Sequence, residues 1–193
     1  MFKGLGASVI DADKIYHQLI SPGTSLYQRV ISIFGREILK RNRRIDRKKL
    51  AQAVFNSRTS LKKLSQITHP AIISKMKIKL SKLKRAKGAK MAVIDAPLLI
   101  EAGSLEMVDK LIVIKTSGRN QIARCKRCWK LSRAEIVRRI KSQAPLKEKI
   151  KLADYVIDNN GTLRETREQV EDIWKKENET TRFHQINIER IKK

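Results

Sequence analysis

Lys90-Met91-Ala92-Val93-Ile94-Asp95 is an apolar run that closes on a carboxylate. A strand with one solvated face alternates apolar and polar residues. A run that is apolar at successive positions instead suits a strand covered on both faces, as in a parallel sheet. Three more runs share this character: Ala7-Ser8-Val9-Ile10-Asp11, Lys110-Leu111-Ile112-Val113-Ile114-Lys115 and Ala153-Asp154-Tyr155-Val156-Ile157-Asp158. Long helical stretches separate them. Ile45 to Ile67 holds two candidate helices, with Asp46 and either Asn56 or Ser57 as N-caps. His69-Pro70 reads as the opening of a helix reaching about Arg85, with proline in its first turn. Ser117 to about Trp129, Ser132 to Gln143 and Gly161 to about Lys176 read as helix too, and Ser132-Arg133-Ala134-Glu135 fits a capping box. Strands alternating with helices predict an α/β fold, a parallel sheet with helices on both faces.

No linker, internal repeat or low-complexity tract beyond the lysine-rich stretch from Lys75 to Lys90 divides the chain, so a single domain over residues 1–176 is expected. The remainder, 177–193, has weak periodicity and reads as a frayed basic tail. The longest apolar runs fall far short of the ~20 residues of a spanning helix. Two cysteines make no disulfide framework, and the N-terminus shows no secretory signal. A cytoplasmic protein with no membrane partner is the expectation.

Lys plus Arg number 44 against 19 Asp plus Glu, a net charge of +25. The excess is uneven: Arg36 to Lys49 carries eight basic residues, Lys75 to Lys90 eight with no acid, and Lys115 to Lys151 thirteen. Such a surface attracts polyanions, whether phosphorylated small molecules or nucleic acid, although charge runs are commonly no more than solvated helix faces. Aromatic residues are 5% of the chain, which weakens a nucleic-acid reading that would want interleaved stacking platforms.

In parallel sheets ligands bind at the carboxyl ends of the strands. Asp11 and Asp13 follow the first run, and an extended backbone there would put both on one face. Asp95 ends the second run in the manner of Mg²⁺-holding carboxylates in phosphate-handling sheets. The plainer role for each is a helix N-cap. Arg124, Arg127, Arg133, Arg138 and Arg139 form a dense guanidinium cluster suited to two-point phosphate contacts. Cys125-Lys126-Arg127-Cys128 lacks the second ligand pair of a zinc site and lies within a helix rather than at its start, which argues against metal or redox chemistry. His17 and His69 read as structural.

Read together and in order, Leu5-Gly6-Ala7-Ser8-Val9-Ile10-Asp11-Ala12-Asp13, Pro22-Gly23, Phe34-Gly35, Ile45-Asp46-Arg47, Val54-Phe55, His69-Pro70-Ala71-Ile72, Asp95-Ala96-Pro97-Leu98-Leu99-Ile100-Glu101, Arg139-Ile140, Gln143-Ala144-Pro145-Leu146 and Ala153 to Gly161 resemble the dephospho-CoA kinases. The resemblance covers nearly everything from Leu5 to about Lys176. It implies a P-loop kinase fold and transfer of the ATP γ-phosphate, with Mg²⁺, to the ribose 3′-hydroxyl of dephospho-CoA. By that resemblance Asp13 matches the proton-accepting carboxylate and Arg124 the phosphate-contacting arginine of a lid over about 124–143. Asp11, Asp95 and Arg127 are substrate-side candidates. Asn159, Asn160 and Gly161 match the turn near the ATP adenine, and a helical region over about 45–86 covers the acceptor.

Two departures stand out. Where the family has a second lid arginine this chain has Cys128, with Arg127 beside it. The string GxxxxGK[ST], whose backbone N–H groups and lysine hold phosphates, occurs nowhere in the 193 residues. The resemblance therefore implies a sheet lacking its first, central strand and phosphate loop, with backbone groups of the flanking strands left unpaired. The favoured expectation is that Met1 is an internal methionine of a longer reading frame and that the chain as given has little kinase activity. The alternative is a non-catalytic basic protein on the same fold that binds CoA-like ligands or RNA. Neither reading calls for an obligate protein partner.

Overall fold

The computed structural model describes residues 1–55, 57–86, 91–129, 131–179 and 184–189. The alternative cap Asn56, the end of the lysine-rich stretch at 87–90, and tail residues 180–183 and 190–193 lie outside them. The chain forms two compact units, Met1–Asp11 with Lys79–Lys193, and Ala12–Ile78.

The first unit holds the sheet. Its strands are β1 (Ser8–Asp11), β2 (Met91–Asp95), β3 (Lys110–Lys115), β4 (Tyr155–Asp158) and β5 (His184–Glu189), in the spatial order β1-β2-β5-β3-β4. All pairs are parallel. The four apolar runs thus become strands within a residue or two of the expected bounds. The expected gap at the centre of the sheet is corrected. β5, from the stretch read as a frayed tail, lies between β2 and β3, with Met91 opposite His184 through Asp95 opposite Ile188, and Lys110 opposite Ile186 through Val113 opposite Glu189. The physical reason is that buried N–H and C=O groups along both flanking strands need partners, and any extended segment supplies them.

α8 (Leu163–Asn178) covers one sheet face. Thr162 caps it and forms a capping box with Glu165, and its buried residues Thr166, Val170, Ile173 and Glu177 recur at helical spacing. Val170 and Ile173 pack with Phe2, Ala7, Met91, Val93, Ile112, Ile157 and Ile186. α5 (Gly118–Trp129), α6 (Arg133–Lys141) and α7 (Leu146–Leu152) complete this unit. Ser132 and Glu135 form the expected capping box at the start of α6.

The second unit is helical, with α1 (Ala12–Leu19), α2 (Ser25–Phe34), α3 (Arg47–Phe55) and the greater part of α4 (Arg58–Arg85). Asp46 Oδ1 accepts from the Lys48 N–H at 2.9 Å and Ser57 Oγ from the Ser60 N–H at 3.2 Å, so both act as caps. The expected helix start at His69-Pro70 is corrected, because α4 runs unbroken through Pro70. An interior proline costs about 3 kcal/mol. Leu61, Leu64, Ile67 and Ala71 carry one apolar stripe across it into the core formed by Ile20, Leu26, Tyr27, Val30, Ile38, Ile45, Leu50 and Val54. At about 1.5–3 kcal/mol for each large side chain buried, the stripe outweighs the proline. Among the described residues no helix is long and apolar enough to cross a membrane.

One bond between α8 and β4 yields a test. Tyr155 Oη donates to Glu177 Oε1 at 2.6 Å, and this bond, followed by burial, pushes the phenol up to about 12 from 10.0. A group whose folded value is raised holds its proton more tightly when folded. Its contribution is therefore complete below pH 10 and lost as pH rises toward about 12. Tyr155→Phe is expected to lower unfolding free energy at pH 7 by about 1.5–3 kcal/mol. In denaturant titrations the gap between wild type and variant should close between pH 10 and about 12. A gap that persists there would assign the loss to packing instead.

Candidate active site

β1 and β2 both end on carboxylates, and the register sets Asp11 directly beside Asp95. Paired residues on in-register parallel strands project from the same face, with backbones about 4.8 Å apart. Two hard oxygen donors so placed suit a cation that keeps most of its ligands as water and phosphate, which is the habit of Mg²⁺. No group of three or more His, Cys, Asp or Glu among the described residues is placed to hold a metal.

Asp13 lies in a helix and not in a strand. Extended backbone stops at Asp11, and α1 begins at Ala12, so the condition for Asp11 and Asp13 to share one strand face is not met. Asp13 sits in the first turn of α1, where a carboxylate meets the positive end of the helix dipole. Tyr16 and His17 lie three and four residues on, along the same side of the helix. Arg47 Nη1 donates to His17 Nε2 at 2.5 Å; a guanidinium can only donate, so the imidazole accepts there and, when neutral, carries its proton on Nδ1. Burial pushes the Tyr16 phenol up to about 12, with Arg47 drawing it back and Asp13 adding to the rise. Tyr16 and Arg47 are absent from the sequence-based candidates; the i+3 spacing from Asp13 signals Tyr16, whereas Arg47 arrives only through its contact with His17.

The arginine cluster divides. On α5, Arg124 is half-buried and Arg127 exposed, three residues apart and so on one flank. Arg133 and Arg138 of α6 are exposed. Arg139 instead turns inward toward Cys125: burial lowers its guanidinium, opposed by Glu135 and Cys125. Burial in turn pushes the Cys125 thiol up, aided by Cys128 and opposed by Arg139.

The base of this two-helix arm is anchored. Glu101 Oε1 accepts from Lys149 Nζ and from the Ala144 N–H, each at 2.9 Å, and Lys149 Nζ also reaches the Pro97 carbonyl at 3.4 Å. Lys149 is only 3% exposed. The segment after Asp95 is thereby fastened to the turn between α6 and α7. Beside it lies a cavity of about 220 Å³, floored by Val113 and Ile114 and walled by Ile140 and Leu146. Gln121 lines it, and its buried Nε2 has no hydrogen-bond partner among the described residues.

At the end of β4, Asp158-Asn159-Asn160-Gly161 closes a clamp. Asp158 Oδ1 accepts from the Asn160 N–H at 2.9 Å, while Asn160 Oδ1 accepts from the Ser117 N–H at 2.6 Å and from Asn120 Nδ2 at 3.3 Å. Asn159 Oδ1 accepts from Thr166 Oγ1 at 3.2 Å. These side chains are spent on joining the β3–α5 and β4–α8 junctions, so a ligand here would meet backbone. Gly161 leaves room for the capping carboxylate: a Cβ there would come within 2.0 Å of Glu165 Oε2.

Comparisons with known proteins agree on one family. A dephospho-CoA kinase family profile matches residues 1–165. The chain is 41% identical to the dephospho-CoA kinase of Carboxydothermus hydrogenoformans over 172 residues, covering 89% of this chain and 83% of that protein. It is 42% identical to that of Geobacillus kaustophilus over 170 residues, covering 88% and 84%. The solved dephospho-CoA kinase of Campylobacter jejuni superimposes with a TM-score of 0.64 at 30% identity, over 92% of this chain and 88% of that one.

The clamp titrates. Lys115 Nζ, 3.0 Å from Asp158 Oδ2, and then the Asn160 amides hold the Asp158 carboxyl below its ordinary 3.8. A lowered folded value gives a contribution present above pH 3.8 and lost as pH falls through the folded value. Protection of the Asn160 N–H in hydrogen exchange is expected to hold from neutral pH down to about 3.8 and to fall below it. Asn160→Ala should lower protection at Ser117 at every pH. Unchanged protection at Ser117 in that variant would remove the clamp.

Proposed function

The chain belongs to the dephospho-CoA kinase family, and we propose that it transfers the γ-phosphoryl group of ATP to the ribose 3′-hydroxyl of dephospho-CoA. In that reaction the hydroxyl oxygen forms a bond to phosphorus, the bond to the β-phosphate oxygen breaks, ADP leaves, and the hydroxyl proton goes to a carboxylate. Asp13 takes the proton, because a secondary alcohol attacks faster when a positioned base accepts its hydrogen. Asp11 and Asp95 face the substrate side as neighbouring carboxylates. Mg²⁺ bound with ATP would neutralise charge developing on the phosphates. Arg124 clamps the phosphates, with Arg127 on the same flank of α5 in place of the arginine that Cys128 replaces. The backbone of Asn159, Asn160 and Gly161 borders the adenine. The observation that carries the reading is the Asp11–Asp95 register at the carboxyl ends of two parallel strands.

We further propose that the 193-residue polypeptide, which has no GxxxxGK[ST] string, transfers phosphate slowly. The +25 charge favours a second reading, a polyanion-binding protein that recognises RNA.

Calorimetric titration with dephospho-CoA separates the two readings. Saturable binding is expected, and Asp13→Ala should weaken it about 10- to 100-fold, the loss of one hydrogen bond to a charged group. No saturable binding, together with RNA binding that falls steeply with salt, would give the second reading the lead. In a coupled ADP assay, turnover by this polypeptide should fall well below the ~1–100 s⁻¹ typical of kinases. A rate inside that range would show that phosphate is held without the glycine-rich cradle.

A further inference from the structure

The cavity at the foot of the α5–α6 arm takes no part in the phosphoryl transfer proposed above. It holds about 220 Å³ and lies wholly within the first unit. Val113 and Ile114 of β3 form its floor and Ile140 and Leu146 two of its walls, and no acidic side chain among the described residues lines it. Its one charged lining residue, Lys149, is already bonded to Glu101 Oε1 at 2.9 Å and to the Pro97 carbonyl at 3.4 Å. Gln121, in the first turn of α5, is different. It lines the cavity and is 7% exposed, and its Nε2 is buried with no hydrogen-bond partner among the described residues. A leucine or methionine would fill that position with similar volume and no polar atom, whereas a buried carboxamide without a partner opposes folding. A lone water is a poor remedy, because a buried water wants about two to four polar partners and the floor and walls offer hydrocarbon.

An apolar cavity of about 150 Å³ is enough to take benzene, so the larger space here suits a body of about six to nine non-hydrogen atoms. Pockets of this kind pair apolar walls with a few placed polar groups that fix orientation. We propose that the cavity is a binding site for a small uncharged molecule with an apolar body and one carbonyl oxygen. The oxygen accepts from Gln121 Nε2, while Val113, Ile114, Ile140 and Leu146 enclose the body. A carboxylate fits worse, since Lys149 already has Glu101 as its counter-ion and a second anion would be buried without one. Because β3, the first turn of α5 and the α6–α7 turn meet around this space, an occupant ties the foot of the arm to the sheet. None of this depends on the kinase reading.

The test uses the full chain, labelled with nitrogen-15, and two probes of similar size: cyclohexanone, which carries a carbonyl, and benzene, which does not. Cyclohexanone is expected to bind saturably with a Kd near about 1 mM, well within the ceiling for a ligand of about seven non-hydrogen atoms. The side-chain amide resonances of Gln121 should shift along the same titration curve, a readout that needs no variant. Gln121→Met removes the donor at nearly equal volume. It should weaken cyclohexanone about three- to tenfold, the worth of one hydrogen bond, and bind benzene more tightly than wild type does. A variant that merely loosens the fold would weaken both probes alike, and that result overturns the proposal. So does cyclohexanone that fails to saturate by about 30 mM, as when Nε2 holds only a water, or that saturates without moving the Gln121 resonances.

Discussion

The inner edges of β2 and β3 impose the constraint on which the rest of the first unit depends. Each presents buried N–H and C=O groups that must be bonded, and each such group left unpaired costs about 1–3 kcal/mol. Against total stabilities of about 5–15 kcal/mol, a few orphaned groups decide whether the sheet exists. β5 satisfies both edges with one hexapeptide. By doing so it makes a single sheet of β1–β2, which ends in Asp11 and Asp95, and β3–β4, which carries the Lys115–Asp158 pair and the asparagine clamp.

Around that sheet, buried and exposed charges serve different ends. In the Lys149–Glu101 pair the lysine is enclosed, and removing Glu101 costs about 3–5 kcal/mol, because the ammonium keeps its charge where water scarcely reaches it. The pair therefore fixes the loop after Asp95 to the foot of the α5–α6 arm. The exposed Lys151–Glu148 and Arg164–Glu168 pairs run along single helices and contribute little beyond a few tenths of a kcal/mol each. Ile136 and the capping box hold α6, while on α5 Arg124 stays half-buried and Arg127 exposed.

Four of the five strands were legible because two-sided burial writes itself as an unbroken apolar run, and the caps at Asp46, Ser57 and Ser132 were legible because capping is local chemistry. β5 was not: its alternation and polar residues are those of an exposed segment, and its position is imposed by the needs of β2 and β3. Pro70 misled for a related reason, since the apolar stripe from Leu61 to Ala71 overrides a local penalty. In the site, strand-end carboxylates could be seen one at a time, but the Asp11–Asp95 register is a tertiary fact. So are the inward turn of Arg139 and the pairing of Glu101 with Lys149, forty-eight residues apart in sequence. The asparagine turn was found for its place in the chain, while its side chains proved to hold the protein together.

The net charge of +25 is set by composition, 44 Lys plus Arg against 19 Asp plus Glu, and three of the acids are paired at strand ends or inside the first unit. Asp154 with Lys110, Asp158 with Lys115 and Glu101 with Lys149 sit at strand ends or in the interior, where carboxylates have structural work. Along α4, Lys75, Lys77, Lys79, Lys82 and Lys84 follow one another with no acid between. At physiological ionic strength exposed charges act over about 8 Å, so this field speeds the approach of any polyanion without choosing among them. Discrimination must come from groups held in fixed positions, and the described residues that meet that condition cluster at the carboxyl ends of the strands. A charge surplus that draws polyanions in general is therefore compatible with a selective site, because attraction sets the rate of encounter and geometry sets what stays bound.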